Sequence, residues 1–274
     1  MNKKRLKIAA LAVALALLAV LLYLAHGLLG NPVSKALASR AAKARLSEVY
    51  AGTDYRVDDL RYSFKDGNYY AYLTSPTSVD GDFSIAFDGL GKLLWDSYED
   101  RVLSGENTRS RLSLEYRDLV EAALEGPASP LPVDFGGGDL ECWSREILEL
   151  ELDDAPDYAL ITEDLEVNGI YDVRELGARA GHLTYYLQME SPSLEQIAHW
   201  LLEIRRMMDD ARVPFVDIDL SLRYLPDADG TRPHSDLYVL HFPYEDIYEE
   251  GLADRVKAAN AAAIAYYAEL DKLK

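Results

Sequence analysis

The hydrophobic and polar positions of this chain fall into three patterns. The first is a run free of charged residues, Ile8 to Leu29, made largely of Leu, Ala, Val and Ile. At helical rise it reaches about 33 Å, enough to cross a hydrocarbon core of about 30 Å. It predicts an N-terminal transmembrane helix over 8–29. Lys3, Lys4, Arg5 and Lys7 precede it, and cations on that side favour residues 1–7 in the cytoplasm with the remainder translocated. Ala25-His26-Gly27 offers the alternative of a cleaved signal, although the apolar core exceeds the roughly 7–15 residues usual for one.

The second pattern is apolar residues three and four apart, the spacing of one helical face. Pro32 suits the first turn of a helix, and Ala38, Ala42, Leu46 and Val49 follow on one side. A second helix runs from Asn107 or Thr108 to Leu124, with Leu112, Tyr116, Leu119 and Ala123 as its stripe. Ser193 and Gln196 form a capping box, and Leu194, Ile197, Ala198, Leu201, Ile204 and Met208 mark the helix that it opens. The last helix is expected from Leu252 to Leu273.

The third pattern is strict alternation, which predicts half-buried strands. It appears at Leu60, Tyr62 and Phe64 and at Phe83, Ile85 and Phe87, and further strands are expected from Tyr69 to Thr74 and around Leu93 to Trp95. Asp66-Gly67 and Asp88-Gly89 supply turns between them. It returns at Leu148, Leu150 and Leu152, at Leu183 to Met189 and at Val216, Ile218, Leu220 and Leu222, after which a loop returns to Leu237 to Phe242. Between the two sets, Pro127, Pro130, Pro132 and Gly136-Gly137-Gly138 interrupt every pattern. The expected fold is α+β: an N-terminal transmembrane helix, then two small domains, each with helices packed on an antiparallel sheet. Residues 32–125 form the first domain, 126–138 a linker, and 139–274 the second domain.

Charge narrows the partners. A formal net charge of −19 repels nucleic acid and anionic headgroups. A single cysteine, Cys142, excludes an intramolecular disulfide.

Several stretches resemble a known family. Asn31-Pro32, Tyr62 to Gly67, Gly81-Asp82-Phe83, Asp96 to Glu99 and Gly105 to Thr108 are similar to the YfjL-like proteins. So are Arg111-Leu112, Glu115-Tyr116 and Ile170 to Gly177. The resemblance spans nearly the whole chain and implies a small membrane-anchored protein of Gram-positive bacteria with distinct N- and C-terminal domains. It carries no catalytic residues with it.

Candidate chemistry is sparse. Asp217 and Asp219 share a strand face about 6.6 Å apart, a spacing that could serve glycoside cleavage but is expected to be a solvated face titrating near the usual value of about 3.9. Asp227, Asp229 and Gly230 start like a calcium loop but lack the closing Glu, so a hairpin loop is expected. His234 and His241 lack a standard ligand spacing. The three glycines have no strand–Lys–Ser/Thr context for phosphate, and Cys142 in its acidic segment is a poor thiolate. The composition holds 19 Tyr against 6 Phe; such rings could meet a sugar, a peptide or a protein, and cross-strand packing is the plainer reading.

The sequence thus assigns no catalytic, cofactor or metal residue. It suggests a single-pass membrane protein with extracytoplasmic domains, a non-enzymatic binding or regulatory component of the cell envelope. Its partners would be the membrane, through the N-terminal helix, and a protein at the membrane surface. The alternatives are a carboxylate-dependent cell-wall hydrolase and a divalent-cation-binding envelope protein.

Overall fold

A computed structural model describes residues 3–126, 129–150, 156–226, 229–231 and 236–272. The chain divides into two units, 1–107 and 108–274.

The first unit opens with helix α1, Lys3–Leu29. Among the described residues, no helix is long and apolar enough to cross a membrane. This corrects the expected N-terminal transmembrane helix. Forming a helix and spanning a bilayer are separate demands. Leu and Ala satisfy the first, whereas the second needs about 20 apolar residues in succession.

Between α1 and the next helix Gly30 takes φ +70°, a conformation that a side chain disfavours. Asn31 then caps α2, Pro32–Val49, its side chain accepting from the Ser34 amide at 2.8 Å, with Pro32 in the first turn as expected. Strands β1 (Arg56–Ser63), β2 (Asn68–Thr74), β3 (Phe83–Phe87) and β4 (Leu93–Asp96) form an antiparallel meander in that order. Alternation sends Tyr69, Ala71, Leu73, Phe83, Ile85 and Phe87 into the core. The small side chains of Ala38 and Ala42, both fully buried, let α2 sit close. A π-helical turn, Glu99–Leu103, leads to α3, Glu106–Leu124. The division between units falls in the first turn of α3, ahead of the Pro/Gly stretch expected to be the linker.

That stretch is not a simple linker. Val133–Leu140, including all three glycines, is strand β5. It is followed by β6 (Cys142–Trp143), α4 (Arg145–Glu149), β7 (Leu160–Ile161), α5 (Val173–Ala180), β8 (Gly181–Met189), α6 (Leu194–Ala211), β9 (Asp217–Tyr224), β10 (Leu237–Pro243) and α7 (Leu252–Lys272). A strand was expected at Leu148 to Leu152; α4, capped by Ser144, takes in Leu148 and Glu149 and ends at Leu150, and residues 151 and 152 lie outside the described residues.

The second unit's main sheet runs β10-β9-β8-β5. β5 pairs antiparallel with β8, and β10 with β9, but β8 and β9 are parallel. The purely antiparallel expectation fails at this pair because a whole helix, α6, joins β8 to β9, and such a crossover returns the chain in the same direction. Ile197, Leu201, Ile204 and Met208 of α6 are fully buried in a core shared with Leu183, Tyr185, Leu187, Ile218, Leu220 and Leu222. α3 adds Leu112, Tyr116, Val120 and Leu124 to the same core, and the Tyr116 hydroxyl donates to the Pro214 carbonyl at 2.8 Å. Every second residue of β8 and β9 therefore points to the other face of the sheet.

Candidate metal centre

The other face holds His182 and Thr184 on β8, and Asp217 and Asp219 on β9. The parallel register sets His182 beside Asp217 and Thr184 beside Asp219. β10 adds His241 through an irregularity: its pairing with β9 slips between Val239 and Phe242, and His241 takes φ +45°. Bulges of this kind re-aim a side chain, and a non-glycine residue held at positive φ is strain that surrounding contacts must sustain. Here the His241 amide donates to Asp219 Oδ1 at 2.7 Å.

Asp217 is the hub. Only 4% of the residue is exposed. Its Oδ1 lies 2.6 Å from His182 Nδ1 and its Oδ2 3.1 Å from His241 Nδ1. Burial opposes its charge, but the hydrogen bonds with both histidines and the nearby Tyr158 outweigh that cost and hold the carboxyl well below the usual carboxylate range. The Tyr158 hydroxyl is itself buried without a hydrogen bond of normal geometry, and burial, then Asp217, pushes its pKa up. Burial works against a charged His182, yet Asp217, Asp219 and Glu141 raise its pKa overall. The hydrogen bond with Asp217 raises that of His241, against opposing burial.

With both Nδ1 atoms facing Asp217, the two Nε2 atoms remain as lone-pair donors. His182 Nε2 lies 3.1 Å from Thr184 Oγ1 and 3.8 Å from Asp219 Oδ2. The two rings are 5.3 Å apart between centroids. One donor atom from each of His182, Asp219 and His241 lies within 4.8 Å of the others. Two imidazoles and a carboxylate, with a second carboxylate behind the imidazoles, is a donor set suited to a transition-metal ion.

A cleft of about 350 Å³ opens beside this cluster, lined by Gly136-Gly137-Gly138, His182 and Thr184, with Arg117, Glu121, Phe135 and Asp139 around them.

The acidic strand face thus departs from expectation. Asp217 and Asp219 do point away from the core, but Asp217 is buried and hydrogen-bonded and not an ordinary solvated carboxylate. His241 joins them, whereas His234 and Asp227 lie outside the described residues. Asp229 accepts from the Thr231 amide at 3.1 Å, a local loop contact. Cys142 is a half-buried cysteine in β6. His182 was overlooked in the sequence. Its one signal is the matched spacing of His182 and Thr184 with Asp217 and Asp219, and that spacing acquires meaning only once the strands are known to be parallel and in this register.

A two-domain α+β protein whose second domain carries a histidine–carboxylate cluster on one sheet face is the class these features define. The YfjL-like N-terminal domain matches residues 3–96 and the YfjL-like C-terminal domain residues 115–257, so the chain belongs to the YfjL-like family. No curated protein and no solved structure matches it.

Proposed function

We propose that this protein binds a divalent transition-metal ion in its second domain, through His182, Asp219 and His241, with Asp217 orienting both imidazoles. The observation that carries this reading is the single buried carboxylate that meets both Nδ1 atoms. Metal-ligating histidines almost always donate their second nitrogen to such a partner, which fixes ring and tautomer. Nitrogen donors favour zinc, nickel or copper over calcium and magnesium, which take oxygen. A tetrahedral ion with bonds of about 2.1 Å separates its ligands by about 3.4 Å, so the donors must draw together. The half-exposed His241 side chain has room to do so.

Calorimetric titration of the metal-free protein with zinc tests the proposal. One equivalent should bind, and replacing His182 and His241 together with Ala should abolish binding. Asp217→Asn should weaken it about 10–100-fold. Equal zinc affinity in the native protein and the double variant would refute it.

A second reading has one observation in its favour. His182 stands between Asp217 and the Thr184 hydroxyl, the order of a nucleophile relay. Such a relay has no use for a second imidazole on the same carboxylate, so metal binding accounts for more of the site. Thr184→Val separates the two, because it removes the nucleophile and leaves all three metal ligands.

A further inference from the structure

The sheet of the first unit has a second face, away from α2, and a cleft opens there. Leu73, Phe83 and Ile85 are buried on the α2 side. Alternation puts Tyr72, Ser84 and Ala86 on the other side. The register sets Tyr72 beside Ser84 and Ala86 beside Trp95, so two aromatic rings flank a floor of small residues. Tyr72 is 39% exposed and Trp95 45%. Arg61 lies over the Tyr72 ring, 4.9 Å from its centroid, and holds it in place. Cross-strand packing accounts for the rings by themselves, but not for the polar groups gathered beside them.

The cleft measures about 390 Å³, within the span of about 300–1,000 Å³ usual for small-molecule sites. The buried Ser97 hydroxyl closes its floor, donating to the Ser84 carbonyl at 3.0 Å and accepting from the Ser84 amide at 2.9 Å. Asn107, in the first turn of α3, donates through Nδ2 to the carbonyls of Asp80 and Asp82 at 2.9 and 2.6 Å. Both amide hydrogens are thereby used, and Oδ1 is left as its acceptor. The π-helical turn carries Arg101, whose amide donates to the Ser97 carbonyl at 2.9 Å. Such turns are rare and recur at functional sites. Asp82 and Thr74 complete the polar lining.

Charge argues for a neutral occupant. Arg101 opposes a cation. Asp82 opposes an anion, and so does Glu106, 3.7 Å from the Arg101 guanidinium. A guanidinium donates to hydroxyl groups, and a carboxylate and an amide oxygen accept from them. The aromatic rings cover apolar C–H surface. A molecule with hydroxyls around its edge and C–H bonds on its flat face meets both demands, and a pyranose ring is such a molecule.

We propose that this cleft binds a neutral pyranose sugar, its C–H face on Trp95 with Tyr72 alongside and its hydroxyls on Asp82, Arg101 and Asn107. The lining residues all belong to the first unit, so the proposal is independent of the metal centre. The test is an NMR titration of the intact, 15N-labelled chain with glucose, galactose and N-acetylglucosamine, each by itself. Glucitol, glucose 6-phosphate and tetramethylammonium serve as comparisons. At least one sugar should shift the Trp95 indole N–H saturably and bind more tightly than every comparison compound. Tyr72→Ala, read at that indole, and Trp95→Ala, read at the Asn107 side-chain amide, should each weaken its binding at least about fivefold, the low end for losing one stacking ring. Thermal melts establish that both variants are folded. No saturable shift with any sugar overturns the proposal. So does glucitol binding as tightly, because the ring face would then be irrelevant. Tighter binding of the phosphate or the ammonium overturns it in favour of an ion site. Native sugar affinity in both folded variants overturns the placement in this cleft.

Discussion

At the scale of single residues, Asp217 concentrates the most interaction in the least space. Its carboxyl pKa is depressed, so its contribution to stability is present above the unfolded value of about 3.8 and is lost as pH falls through the folded value. His182 and His241 have raised pKa values, so theirs is present below about 6.5 and is lost as pH rises through the folded values. The metal-free protein should therefore gain most from the cluster between about pH 4 and 6.5. Thermal melts across pH should show that maximum, flattened in Asp217→Asn, which should cost about 3 kcal/mol by taking the carboxylate away from the buried His182 and the half-exposed His241. A pH profile identical in both proteins would remove Asp217 from its central role. On the first domain, Asp66 accepts from the Tyr70 hydroxyl at 2.5 Å, and this bond brings its pKa down to about 2. Tyr70→Phe should return it toward 3.8, read by NMR titration.

At the scale of elements, α6 ties the site to the core. It makes the β8–β9 pair parallel, and that pair sets His182 against Asp217. Leu201, fully buried on its inner face, should cost about 2–5 kcal/mol when cut to Ala, measured by urea denaturation. Within β5, Gly138→Ala should destabilise far more than Gly137→Ala, because only the former forces a Cβ into Val120. Equal effects would mean that β5 packs in another register. The paired backbone of β5 should also resist limited proteolysis at 133–140, where a free linker would be cut early.

For the whole molecule, two units imply that ligand effects should be local. Zinc should raise the melting temperature of the second domain and leave that of the first unchanged, because an ion bound only to one folded unit stabilises that unit. Differential scanning calorimetry with and without zinc reads this directly.

The sequence by itself determined the element types wherever periodicity was strong. Ser193 with Gln196 marked the start of α6, the Ile218, Leu220 and Leu222 alternation marked β9, and Asn31-Pro32 marked α2, because caps and core-facing spacing are local properties of the chain. It determined the α+β character and the family for the same reason. What only the tertiary structure decided was non-local. Glycine and proline at 126–138 read as a break because glycine's role there, admitting Tyr185 and Val120 against bare backbone, depends on residues far away in sequence. The run at 8–29 has the composition of a membrane span, yet composition alone did not secure one. The metal centre was least legible of all: His182, Asp217, Asp219 and His241 sit on three strands, and strand direction, register and the strained turn of His241 bring them together. Each of those is fixed by the packing of the opposite, apolar face, so the polar residues that meet there carry no periodic signal of their own.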